Sequence, residues 1–84
     1  MIVSFDSEAF LNYNEWATTD IKIFLKIGEL IKDINRDPFK GLGKPEPLKY
    51  DWAGYWSRRI TDEHRLIYKY TKGSLYIAAC KYHY

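Results

Sequence analysis

Two spacings of apolar residues divide the chain: helical up to about residue 34, and alternating from about residue 48. Ile2–Phe5 is a short apolar run that predicts a strand. Asp6 or Ser7 then offers an N-cap, and Glu8 falls in the first turn, where the helix dipole favours an anion. Ala9, Phe10, Tyr13, Trp16 and Ala17 follow at helical intervals and predict a helix to about Thr18. Thr19 and Asp20 can cap a second helix. Its stripe is Ile23, Phe24, Ile27, Leu30, Ile31 and Ile34, with Lys22, Lys26, Glu29, Lys32 and Asp33 between, which reads as a core-facing surface. Asp37 precedes Pro38 and is biased out of the helical region, so this helix should end near Arg36.

Pro38–Pro47 (PFKGLGKPEP) reads as a loop. Beyond it the candidate strands are Leu48–Tyr50, Tyr55–Ile60, His64–Tyr70 and Leu75–His83, rich in tyrosine and β-branched residues. Their connections, Thr61–Glu63 and Lys72–Gly73, are short enough to make the last three an antiparallel meander. The expected fold is α+β: two helices on one face of a mostly antiparallel sheet, in the order β-α-α-β-β-β with a further short strand.

At 84 residues the chain suits one domain, spanning 1–84, with a thin core. It is 46% hydrophobic and 29% charged, too apolar for disorder. The single cysteine, Cys80, excludes an internal disulfide and a cysteine-based zinc site. No stretch approaches the roughly 18 apolar residues of a membrane span. The start, MIVSFDSEAF, lacks the basic and long apolar regions of a signal peptide, so a cytoplasmic location is expected.

The net charge of +2 hides an asymmetry. Residues 1–43 carry seven acidic and five basic side chains; residues 44–84 carry four acidic and eight basic. All four phenylalanines lie in the first part and seven of the eight tyrosines in the second. Scaffold first and polyanion-facing surface second is one reading of that drift; chance is the other.

Four residues in the basic half stand out. His83, the penultimate residue, titrates near neutral pH and suits general acid–base work, whereas His64, at a hairpin edge, reads as structural. Arg59 and Arg65 flank the Thr61–Glu63 connection. A three-residue loop sets them opposite each other, an arrangement that calls for an anion between them or for pairing with Asp62 and Glu63. Glu46 sits between Pro45 and Pro47, which can hold its carboxylate still, with Lys44 and Lys49 nearby. The second hairpin leaves two registers open. A three-residue Thr71–Gly73 loop turns Arg65, Ala79, Lys81 and His83 to one face; a two-residue Lys72–Gly73 turn sends His83 to the other.

A fixed carboxylate, two arginines and a histidine are the groups needed to cleave RNA through its own 2′-hydroxyl. A base removes the 2′ proton, cations stabilise the phosphorane and an acid protonates the departing 5′ oxygen. No cofactor or metal is expected. Trp52, Tyr55, Trp56 and Tyr68 could stack bases or simply fill the core.

The segments GKPEPLK (43–49), GYWSRRITDEHRLIY (54–68) and IAACKYHY (77–84), with ELIKDINRDPF (29–39), resemble the YoeB-type toxins of the RelE/ParE superfamily along essentially the whole chain. The resemblance implies a RelE-like fold and a toxin of a type II toxin–antitoxin pair. Such a toxin enters the ribosomal A site, cuts messenger RNA there and is restrained by a cognate YefM-like antitoxin; a homodimer is a further expectation, and a membrane partner is not. It implies Glu46 as general base, His83 as general acid, Arg65 as the main stabiliser of the phosphate, Arg59 and Lys49 in support and Tyr84 in substrate positioning. Lys44, Lys49, Arg58 and Lys81 are expected to bind substrate. Two alternatives remain: a ParE-like toxin that poisons gyrase by binding alone, whose relatives lack the His–Arg–Glu set, and a plain RNA-binding module.

Overall fold

The computed structural model describes residues 1–83 and contains β1 (Ile2–Phe5), α1 (Ser7–Thr19), α2 (Ile21–Arg36), β2 (Glu46–Pro47), β3 (Trp56–Arg59), β4 (Arg65–Thr71) and β5 (Ser74–Ala79). Each helix begins where a carboxylate can accept from its free amides. Asp6 accepts from Glu8 and Ala9, and Asp20 accepts from Lys22 and Ile23. Asp37, just before Pro38, closes α2 in extended geometry.

The strand order is β1-β5-β4-β3-β2, with β1 parallel to β5 and the other pairs antiparallel. From α2, Ile23, Ile27, Leu30 and Ile34 bury against Leu66, Tyr68, Leu75, Ile77 and Cys80, and Ala9 joins them from α1. This is the expected α+β arrangement, with both helices on one face and the opposite face left for other uses. Burial pushes the Cys80 thiol up to about 11, and its Sγ donates to the Ala9 carbonyl.

Two expectations about the strands need correction. Leu48–Tyr50 is not a strand. The prolines hold Glu46 extended, so β2 forms at Glu46–Pro47, while Tyr50, at φ 56°, starts a single 3₁₀ turn to Trp52. The last strand stops at Ala79 rather than His83, because Tyr82 adopts φ 62° and the segment from Cys80 turns away.

Of the two registers open for the second hairpin, the structure shows one. Thr71 pairs with Ser74, so the hairpin is the two-residue Lys72–Gly73 turn, with both residues at positive φ. That turn alone sends the far end of β5 to the wrong face. Between Ile67 and Tyr68 the pairing jumps: Tyr68 faces Ile77, but Ile67 faces Ala79. The extra residue, Ala78, is a bulge that turns Ala79 back to the face of Arg65 and Ile67.

Residues 37–43 are fastened by Arg58, a residue expected to bind substrate. It is fully buried: alternation along β3 turns it and Trp56 toward the helices, while Ser57 and Arg59 face the other way. Its guanidinium donates to the Asp33 carboxylate at 2.6 Å, to the carbonyls of Leu42, Asp37 and Lys40, and to the Tyr68 hydroxyl at 3.1 Å. That hydroxyl in turn donates to the Pro38 carbonyl at 2.7 Å. Arg36, the Leu42 amide and Arg58 together hold the Asp33 carboxyl far below the usual carboxylate range. Arg58 is thus an anchor for the loop, buried toward the helices and not exposed as a substrate contact was expected to be.

Candidate active site

On the face away from the helices, register builds a cleft. Glu46 pairs with Ser57, Arg59 lies two residues further along β3, and Arg59 pairs with Arg65. Cross-strand partners point the same way, so these four side chains share one face. Together with Lys44 and His83 they line a cavity of about 340 Å³. Two arginines and a lysine face one carboxylate and one histidine, which makes an anion-binding surface.

The lysine enters by a close backbone approach. The Arg59 amide donates to the Gly43 carbonyl at 2.6 Å, and Gly43 sits at φ 79°. A Cβ there would lie 2.9 Å from the Arg59 carbonyl oxygen, so glycine is required on both counts. Lys44 follows at φ 51°.

Arg65 is held rigidly. Its Nη1 donates to the carbonyls of Thr61, Asp62 and His64, at 2.6, 3.1 and 3.0 Å. Among the described residues its Nε and Nη2 have no protein partner, which leaves that edge of the fork available to a phosphate oxygen. His83 arrives from the turn after β5, exposed, with Nε2 3.2 Å from the Asp62 carbonyl oxygen. A carbonyl only accepts, so Nε2 carries the proton.

Of the residues expected at the site, Glu46, Arg59, Arg65, His83 and Lys44 come together. Lys49 lies just outside, lining an adjacent hollow with Glu46, Pro47, Leu48 and Tyr50. Lys81 does not join them. Its ammonium stacks over Trp16 and Tyr82, at 5.7 and 5.3 Å from the ring centroids, because the chain leaves the sheet at Cys80. Arg58 is buried on the other face, and Tyr84 lies outside the described residues. Ser57 is the one lining residue that sequence reasoning missed. Its signal was available: it sits two positions before Arg59 on a strand of period two. Tyr68 and Trp56 belong to the core or pack against it, whereas Trp52 and Tyr55 stack edge-on near the second hollow. Among the described residues, no three histidine, cysteine or carboxylate side chains gather as metal ligands. No helix is long and apolar enough to cross a membrane.

The same architecture recurs in solved structures. A YoeB/ParE toxin from Agrobacterium tumefaciens superposes with a TM-score of 0.95 at 46% identity, over 100% of both chains. Two Staphylococcus aureus structures, a YoeB–YefM complex and a YoeB dimer, give TM-scores of 0.93 and 0.94 at 44% and 45% identity, covering 100% of this chain and 98% of theirs. These define a small toxin fold of two helices on a five-stranded sheet. In sequence, Toxin YoeB of Escherichia coli K12 is 56% identical over 100% of both chains. The family of YoeB-like toxins of bacterial type II toxin–antitoxin systems matches residues 5–84, and the chain belongs to it.

Proposed function

We propose that this toxin is a ribosome-dependent endoribonuclease that cuts messenger RNA in the A site and so inhibits translation. The observation that carries the reading is the convergence of Glu46, Arg59, Arg65 and His83 on one cleft, on the sheet face free of helices. The Glu46 carboxylate removes the proton from a 2′-hydroxyl, and the 2′ oxygen attacks the adjacent phosphorus. Arg65, with Arg59 and Lys44 beside it, stabilises the added charge of the phosphorane. The P–O5′ bond breaks, and His83, as the imidazolium, gives a ring proton to the departing oxygen and is left neutral. The products are a 2′,3′-cyclic phosphate and a 5′-hydroxyl, balanced with no other reactant. Lys49 and Tyr84 belong to this reading as substrate contacts flanking the reacting groups.

Lys44, Glu46, Arg59 and His83 are exposed at the cleft, which suits a substrate presented by a much larger partner. The ribosome, with messenger RNA in its A site, is that partner, and the activity belongs in the bacterial cytoplasm. A YefM-like antitoxin is the inhibitor: the S. aureus relative is seen with YefM, and an acidic segment complements a cleft of three cations. A homodimer follows by analogy with the S. aureus YoeB dimer.

The test is the chemistry of the cut. Ribosomes programmed with a defined A-site codon should yield a 2′,3′-cyclic phosphate, and a single 2′-deoxy nucleotide at the scissile position should abolish cutting. Toxicity without RNA cleavage would favour a toxin that acts by binding alone.

A further inference from the structure

The end of the chain that bears His83 is held by a residue that the reaction above leaves unused. Beyond Ala79 the sheet ladder ends, and three hydrogen bonds fix the turn that follows. Trp16 Nε1 donates to the Cys80 carbonyl at 3.1 Å, and the Arg65 amide donates to the Tyr82 carbonyl at 3.1 Å. The Tyr82 amide donates to Nδ1 of His64 at 2.8 Å, the shortest of the three. His64 is only 6% exposed, edge-on to Trp16 and tilted over Tyr82, with ring centroids 4.9 and 5.4 Å away. Its other nitrogen, Nε2, lies 3.6 Å from a Glu63 carboxylate oxygen.

The chemistry of that contact is restrictive. A main-chain N–H can only donate, so Nδ1 must present a lone pair and any ring proton must reside on Nε2. One packed side chain in one tautomer therefore sets the residue immediately before His83, at a backbone position, φ 62°, that a tyrosine does not favour. Without the bond, the part-buried Tyr82 amide loses its acceptor, and of the three hydrogen bonds the turn keeps only those from Trp16 and the Arg65 amide.

We propose that His64 is a positioning residue for His83: its neutral Nε2–H tautomer pins the Tyr82 amide, and this fixes the terminal turn so that His83 stands over the Asp62 carbonyl in the cleft. The catalytic part rests on the nuclease reading; the pinning of the turn does not.

Two measurements on the full chain separate these. In the free protein, ¹⁵N NMR of the histidines should show Nδ1 of His64 unprotonated and hydrogen-bonded to the Tyr82 amide. His64→Phe keeps a ring against Trp16 but removes the acceptor, whereas His64→Asn returns an acceptor at the equivalent position. His64→Phe should mobilise the amides of residues 81–83 while the sheet and helix amides stay as in wild type. It should also lower kcat on programmed ribosomes about 100-fold with KM unchanged, the scale expected for a misplaced reacting group. His64→Asn should recover both. A proton on Nδ1, an ordered 81–83 segment in His64→Phe, or a wild-type kcat in that variant would each overturn the proposal. Should His64→Phe fail to fold, the wild-type tautomer and His64→Asn decide alone. If wild type cuts no RNA, the nuclease reading fails, and the NMR result still decides whether His64 holds the turn.

Discussion

Arg65 and His83 converge on one atom, the carbonyl oxygen of Asp62, which accepts from Arg65 Nη1 at 3.1 Å and from His83 Nε2 at 3.2 Å. The hairpin loop therefore orients the phosphate-binding fork and the proton donor together. Lysine at position 65 supplies a charge but no fork, and cannot hold three carbonyls while reaching a phosphate. Arg65→Lys should leave the fold intact by circular dichroism and lower the single-turnover cleavage rate about 100-fold.

Arg59 faces Arg65 across β3 and β4, and like charges directly opposite are unfavourable. Removing one should help stability while it harms anion binding. Arg59→Gln should raise the melting temperature slightly, by the equivalent of about 0.2–1 kcal/mol. Added phosphate should stabilise wild type more than the variant. Equal melting temperatures and equal phosphate effects would mean that the pair is not an anion site.

The Arg58–Asp33 anchor predicts a specific acid sensitivity. The folded state holds the Asp33 carboxyl below its unfolded value of about 4, so its contribution is complete above that pH and is lost as the pH falls further. Urea titrations should show wild-type stability declining below about pH 4. In Asp33→Asn that part of the decline should be missing and the stability at pH 7 lower. Arg58→Met removes one of the donors to Asp33, which keeps Arg36 and the Leu42 amide, and takes the Arg58 donor from the carbonyls of Asp37 and Leu42; it should cost about 3 kcal/mol or more.

Gly43 meets both a positive φ and a close approach to the Arg59 backbone. Gly43→Ala should destabilise by about 1–3 kcal/mol. Because Lys44 and Glu46 follow immediately, it should also reduce cleavage in protein that is still folded, as measured at a temperature well below the variant's melting transition.

Much of the scaffold was readable from spacing. Asp6 and Asp20 signalled the helix starts and Pro38 the end of α2, because capping and proline act through neighbouring backbone. The Arg59–Arg65 pairing followed from the length of the Thr61–Glu63 connection, a local constraint as well. Arg58 was misread although the alternation that turns Arg59 to the cleft must turn Arg58 to the helices; its partners, Asp33 and the 37–43 carbonyls, are distant in sequence. The bulge at Ala78, which turns Ala79 back to the face of Arg65, left no mark, since it carries neither a glycine nor a charge. The departure of the chain at Cys80, which removes Lys81 from the site, depends on Trp16 and His64 and could not be seen from the C-terminal segment by itself.

The most direct measurement is the rate of messenger RNA cleavage on ribosomes with a programmed A site, for wild type, Glu46→Gln and His83→Gln. Loss of a base or an acid should lower the rate at least about 100-fold in each variant, with all three proteins folded and binding ribosomes alike. Equal rates in the three would contradict the assignment of Glu46 and His83 to proton transfer.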